Sequence, residues 1–135
     1  MVNSEIGNKW LKDFDGWNKH KKLLNDRQPP TFNNRDIWFS SLGANVGYEI
    51  DGKHENYERP ILVVRKFSSN TFLGFPLSSQ RKTGSHYSKI HRNNKDSWVL
   101  LNQGRIFDAR RLLRRIYRLD SSQFSKVVAD YKRLL

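Results

Sequence analysis

Arg59-Pro60-Ile61-Leu62-Val63-Val64-Arg65-Lys66-Phe67, followed by Ser68-Ser69-Asn70 and then Thr71-Phe72-Leu73-Gly74-Phe75-Pro76-Leu77, is the stretch that decides the fold. The first run opens on a proline and continues through β-branched and apolar residues, the composition of a buried strand. The three polar residues after it suit a tight turn, and the second run is again apolar and aromatic. The pair predicts a β-hairpin with strands over 61–67 and 71–77.

Working outward, Asp36-Ile37-Trp38-Phe39-Ser40-Ser41-Leu42 predicts an earlier strand. A polar loop with glycines at 43, 47 and 52 separates it from the hairpin. A basic loop over 78–84 leads to short strands near 86–90 and 97–101. Short strands joined by hairpins and polar loops point to a small β-barrel. Ahead of them, Trp10, Phe14, Trp17 and Leu24 recur at helical spacing within 4–25, although Gly16 weakens that helix. Gln28-Pro29-Pro30 then breaks it. The aromatic stripe serves as a packing face or as a stacking surface, and packing is the commoner use.

Two more helices are predicted at the end of the chain. Asp108 caps one over Ala109–Arg118, with Leu112, Leu113 and Ile116 as its apolar side. Asp120 with Gln123 resembles a capping box for the other, whose stripe is Phe124, Val127, Val128, Tyr131 and Leu135. The expectation is a mainly β chain with helices (α+β): a helical arm over 1–30 and a barrel over 31–135 with C-terminal helices.

The 135 residues fit one domain, and 36% hydrophobic with 13% aromatic residues can fill a core. No apolar run approaches the roughly 18 residues of a membrane span, so no membrane role is expected. Met1-Val2-Asn3-Ser4-Glu5 lacks a signal-peptide pattern, and a cytoplasmic location is the default. Without cysteine, disulfides, thiolate metal sites and cysteine nucleophiles are excluded.

The net charge of +12 points to a polyanionic partner, nucleic acid first and an acidic protein second. It is unevenly placed. Residues 1–30 carry six Lys/Arg against four Asp/Glu, residues 31–64 three against five, and residues 65–135 sixteen against four. The acidic cluster Glu49, Asp51, Glu55 and Glu58 is either a solvated loop or a set that positions cations or bases near a site. The histidines at 20, 54, 86 and 91 lack metal-ligand spacing, so neither a metal nor another cofactor is expected.

Four blocks in order resemble the MazF/PemK family of toxin endoribonucleases. They are Arg35-Asp36-Ile37-Trp38 through Leu42 with Gly47-Tyr48-Glu49; Arg59-Pro60-Ile61-Leu62-Val63-Val64; Phe75-Pro76-Leu77-Ser78-Ser79; and Val99-Leu100-Leu101-Asn102-Gln103 with Arg105, Asp108 and Arg111-Leu112. Together they cover about residues 35–118. The departures are Ser78 where threonine is common, Asn102 where glutamate is common, a longer loop between Glu49 and Arg59, and the arm.

The resemblance implies an SH3-like small barrel (CcdB/PemK-like), a homodimer, and metal-independent cutting of single-stranded RNA to 2′,3′-cyclic phosphate and 5′-hydroxyl ends. It also implies an antitoxin with an acidic segment. Arg59 matches the catalytic arginine, whose planar fork of donors suits a phosphorane; otherwise it is a strand-opening residue with a surface ion pair. Ser78 matches the second catalytic position, or simply ends a strand. His54 and His86 are side-chain types suited to proton transfer near neutral pH. Glu49 orients Arg59 or its own loop, or moves a proton. Lys53, Ser79, Arg81, Lys82, Gln103 and Arg105 are the candidate RNA contacts, Gln103 alternatively satisfying buried backbone. The competing readings are a non-catalytic nucleic-acid-binding or topoisomerase-poisoning member of the same fold, and a basic structural protein.

Overall fold

The computed structural model describes residues 11–135, so Trp10 and the first part of the predicted 4–25 helix lie outside the described residues. Within them, helix α1 spans Phe14–Asn25, capped by Asp13, whose carboxylate accepts from the Gly16 N–H. Strand β1 covers Asp36–Ser41, β2 Glu58–Lys66, β3 Thr71–Ser78, β4 Tyr87–Arg92, β5 Lys95–Leu100, β6 Arg105–Asp108 and β7 Leu112–Arg118. Helix α2 spans Ser121–Leu134.

The seven strands form one antiparallel system: six follow the order β4-β5-β3-β2-β1-β7, and β6 pairs with β3 off that path. The predicted hairpin is β2–β3, with Leu62 opposite Phe75 and Ile61 opposite Pro76. Strand β3 has two partners along its other edge: β6 beside Thr71–Gly74 and β5 beside Leu77–Ser78. That division folds the sheet over itself into the barrel-like form. Asn93 and Asn94, both with positive φ, close the β4–β5 hairpin.

The central strands are buried on both faces, which explains the unbroken apolar run. Ile61 and Val63 enter one core with Phe32, Trp38, Phe72, Phe107 and Leu112. Leu62 enters the other with Ile37, Phe75, Val99, Leu119 and Val127, and α2 covers it. Asp130 of α2 accepts from the Ser88 hydroxyl at 2.6 Å and from Lys126 at 2.9 Å, tying the helix to β4.

One predicted element is corrected. Ala109–Arg118 is not a helix: Ala109–Arg111 forms a single 3₁₀ turn capped by Asp108, and Leu112–Arg118 is strand β7. The chain therefore has one C-terminal helix. Pairing with β1 skips Leu113 and Ile116, because Ser40 faces Leu112, Phe39 faces Arg114, Trp38 faces Arg115 and Ile37 faces Tyr117. These bulges spoil the two-residue alternation of a strand and leave apolar residues at helix-like intervals.

Candidate active site

Arg59 stands near the start of β2, beside Ser40 of β1. Its Nε donates to the Asp51 carbonyl at 2.8 Å and its Nη1 to the Leu77 carbonyl at 3.1 Å. Two of the five guanidinium N–H groups are thus used, leaving three. Neutral carbonyls fix the plane of the group without cancelling its charge. Burial pushes the Arg59 guanidinium below the usual arginine value, and the nearby Asp51 carboxylate opposes that shift.

Arg59 lines a cleft of about 260 Å³ with Ser78, Ser79, Lys53 and His54, walled by Phe39, Pro60 and Leu77. Ser78 ends β3, is buried, and accepts the Gln80 N–H at 3.2 Å. That bond does not use its hydroxyl hydrogen. His54 sits on the exposed turn before β2 with φ +65°, and Lys53 bridges to Glu58 across that turn. Glu58 also borders the cleft, but Arg114 binds it at 2.7 Å. That hydrogen bond holds the Glu58 carboxyl below its usual range.

The remaining predicted residues lie elsewhere. Glu49, Gln103 and Arg105 line a second cleft of about 670 Å³ with Asn45, Tyr48 and Asn102. Glu49 accepts the Val46 N–H at 2.9 Å, so it orients its own loop. Gln103 accepts the Ile50 N–H at 3.0 Å and donates to the Tyr48 carbonyl at 3.3 Å, so it satisfies backbone. The Arg105 guanidinium lies 4.9 Å from the centre of the Phe107 ring. Arg81, Lys82 and His86 line neither cleft; the His86 ring is 6.3 Å from that of Tyr87.

The loop between β1 and β2 carries one wall of each cleft, and α1 packs on it. Trp17 lies against Gly43, whose φ is +97° and where a Cβ would come within 2.3 Å of the indole. Tyr57 donates to Asp13 at 3.0 Å. Arg111 reaches beneath this junction and donates to the Ser41 and Leu42 carbonyls. Burial lowers Arg111 to about 10, and the neighbouring charge of Arg105 adds to the effect.

The sequence pattern of the PemK-like, MazF-like toxins of type II toxin-antitoxin systems matches residues 33–135. The chain belongs to this family. Toxin structures share its fold. MazF from Deinococcus radiodurans superposes with a TM-score of 0.64 at 16% identity, covering 80% of this chain and 97% of that one. The Mycobacterium tuberculosis toxin MazF-mt6 gives 0.55 at 15% identity, covering 73% and 94%. A mycobacterial endoribonuclease, solved with its cognate antitoxin, gives 0.57 at 10% identity, covering 76% and 93%. No curated protein matches in sequence. The family match begins after α1, so the toxin's arm lies outside it.

Among the described residues no helix is long and apolar enough to cross a membrane.

Proposed function

We propose that this toxin is an endoribonuclease that cuts single-stranded RNA through attack of the 2′-hydroxyl on the adjacent phosphodiester. The new bond joins O2′ to phosphorus and the bond to O5′ breaks. The products are a 2′,3′-cyclic phosphate and a 5′-hydroxyl. The proton leaves O2′ and one is delivered to O5′, so the reaction consumes no co-reactant. The observation that carries this reading is the Arg59 guanidinium, oriented by the Asp51 and Leu77 carbonyls toward a cleft it shares with Ser78.

In that cleft Arg59 binds the scissile phosphate and neutralises the charge that grows on the phosphorane oxygens. Ser78 donates its hydroxyl hydrogen to a phosphate oxygen or the 2′-oxygen. His54, the imidazole on the cleft lining, is the proton-transfer candidate that the geometry favours over His86. Lys53 and Ser79 contact the flanking backbone.

The chemistry uses the substrate's own nucleophile, so cutting is expected to persist in excess EDTA. Purified protein incubated with mixed RNA should yield discrete fragments bearing 5′-hydroxyl ends. Binding without fragments would favour the non-catalytic reading, and strict dependence on an added divalent ion would contradict the mechanism. We further propose a homodimer inhibited by an antitoxin whose acidic segment competes for the basic surface. Light scattering that finds only a monomer at micromolar concentration would overturn the dimer.

A further inference from the structure

Lys12 lies just ahead of the Asp13 cap of α1, on the arm outside the family match. Its side chain is 14% exposed, unusual for a lysine in so basic a protein. The ammonium donates to the Asn45 carbonyl at 2.6 Å, the Gly47 carbonyl at 2.8 Å and the Asp51 carboxylate at 3.1–3.2 Å. Three acceptors match its three N–H groups. All three belong to the loop between β1 and β2.

The same Asp51 meets the catalytic arginine through its main chain, and its carboxylate lies close enough to act on the guanidinium's charge. Its main-chain carbonyl holds Arg59 Nε at 2.8 Å. Its carboxylate accepts the Asn45 N–H at 2.7 Å and Lys12. A carboxylate is an acceptor for the very guanidinium donors that a phosphate needs. Released from Lys12, it would become a competitor for Arg59 within the protein. The loop would also lose the bonds that set the carbonyl under Nε.

We propose that Lys12 is a positioning residue: the arm uses it to fix the 45–51 loop and to keep the Asp51 carboxylate committed, leaving Arg59 free for the RNA phosphate. The arm is then part of the working site. The proposal rests on the endoribonuclease reading for its kinetic consequence, but the loop's order can be measured without cleavage.

Two measurements on the full-length protein test it, using Lys12→Met, Lys12→Arg and the double variant Lys12→Met/Asp51→Asn. In amide hydrogen exchange, Lys12→Met should lose protection at Asn45 and Ile50, with the amides of β2 and β3 unchanged. In RNA cleavage, Lys12→Met should lower kcat/KM on the order of 10- to 100-fold, the cost typical of a misplaced reacting group. Lys12→Arg should recover activity because it restores a cationic donor. The double variant should also recover much of it, because asparagine keeps an acceptor for the Asn45 N–H but carries no charge to compete for Arg59. A merely structural role would not be rescued by the second substitution. Unchanged exchange in Lys12→Met overturns the clamp whatever the cleavage shows. Lost protection with full cleavage overturns the link to Arg59, and no recovery in the double variant overturns competition by the Asp51 carboxylate. Failure of the wild-type protein to cut RNA counts against the endoribonuclease reading alone, and the exchange data then decide whether Lys12 orders the loop.

Discussion

Arginines are held in two opposite ways on the two sides of β1. At its start, Asp36 is 1% exposed and gathers Arg118 at 3.0 Å and Arg115 at 3.5 Å. The same carboxylate accepts the Asn33 N–H and the Trp38 indole N–H. One carboxylate offsets part of the positive charge there and turns it into structure. At the far end, beside Ser40, Arg59 is held by carbonyls alone. A carbonyl orients a guanidinium but leaves its full charge, which a phosphate can then use. The contrast separates arginines that a carboxylate fastens from an arginine that carbonyls orient on the lining of a cleft, where it is still available.

The largest effect should follow from removing the available arginine. Arg59→Ala should reduce RNA cleavage by about 100–1,000-fold, equivalent to about 2.7–4 kcal/mol of barrier, the usual cost of one preorganised donor. Thermal unfolding should move little, because only two bonds to carbonyls are lost. Near-normal turnover would place Arg59 among the structural arginines and erase the contrast.

Asp36→Ala should do the reverse. It strands the Trp38 indole N–H in the core and frees two arginines at the same spot. A buried donor left unsatisfied costs about 1–3 kcal/mol. Denaturant unfolding should show that loss, while cleavage per folded molecule stays at the wild-type level. A loss of cleavage without a loss of stability would show that the two ends of β1 are not independent. Ser78→Ala should have a smaller effect on cleavage than Arg59→Ala, since it removes one neutral donor. Assays at saturating RNA check this, and unchanged activity would leave Ser78 as the residue that ends β3.

Much of this division was legible in the sequence, and the part that was not has a definite cause. The hairpin of β2 and β3 was readable because both runs are bounded by turn residues. The last helix was readable from Asp120, which does accept the Gln123 N–H at 2.9 Å; the Gln123 side chain donates back to the Asp120 carboxylate at 2.6 Å and also bonds the His91 backbone. Strand β7 was misread because a bulge is a property of pairing, not of local sequence. Arg115 and Arg118 lie three residues apart and would face opposite sides of a regular strand. The bulge at Ile116 brings both to Asp36. Strand β6 was missed for a related reason, since Arg105–Asp108 is short and mostly exposed. In the site, Arg59 and Ser78 stood out by motif, but the Asp51 carbonyl could not, because any residue supplies a carbonyl. Lys12 was one of many lysines, and only folding shows which one is largely covered by the loop it binds.

The smallest expected effect concerns the arm, whose grip on the loop includes a titratable group. His20 packs against Trp17 and Tyr57, with ring centres 5.8 and 5.6 Å away, and its buried Nε2 has no hydrogen-bond partner among the described residues. Burial, and secondarily the charge of Arg27, lowers its pKa below the ordinary 6.5. The folded state therefore binds a proton less readily than the unfolded chain. By linkage the contribution of His20 to stability is complete above the unfolded value of about 6.5 and is lost as pH falls through the lower folded value. Asp13 titrates in a separate range: the Gly16 N–H first, and the Tyr57 hydroxyl second, keep its carboxyl below the usual value of 3.8. The bond between arm and loop that Asp13 makes therefore survives the acidification that protonates free histidine. Exchange protection of the α1 amides should fall modestly between pH 7 and pH 5 in the wild-type protein. His20→Phe, which keeps an aromatic ring without a titratable nitrogen, should flatten that dependence while the amides around Asp36 and Arg59 stay as they were. The same pH dependence in His20→Phe would assign the effect to another group and leave the arm's attachment independent of His20.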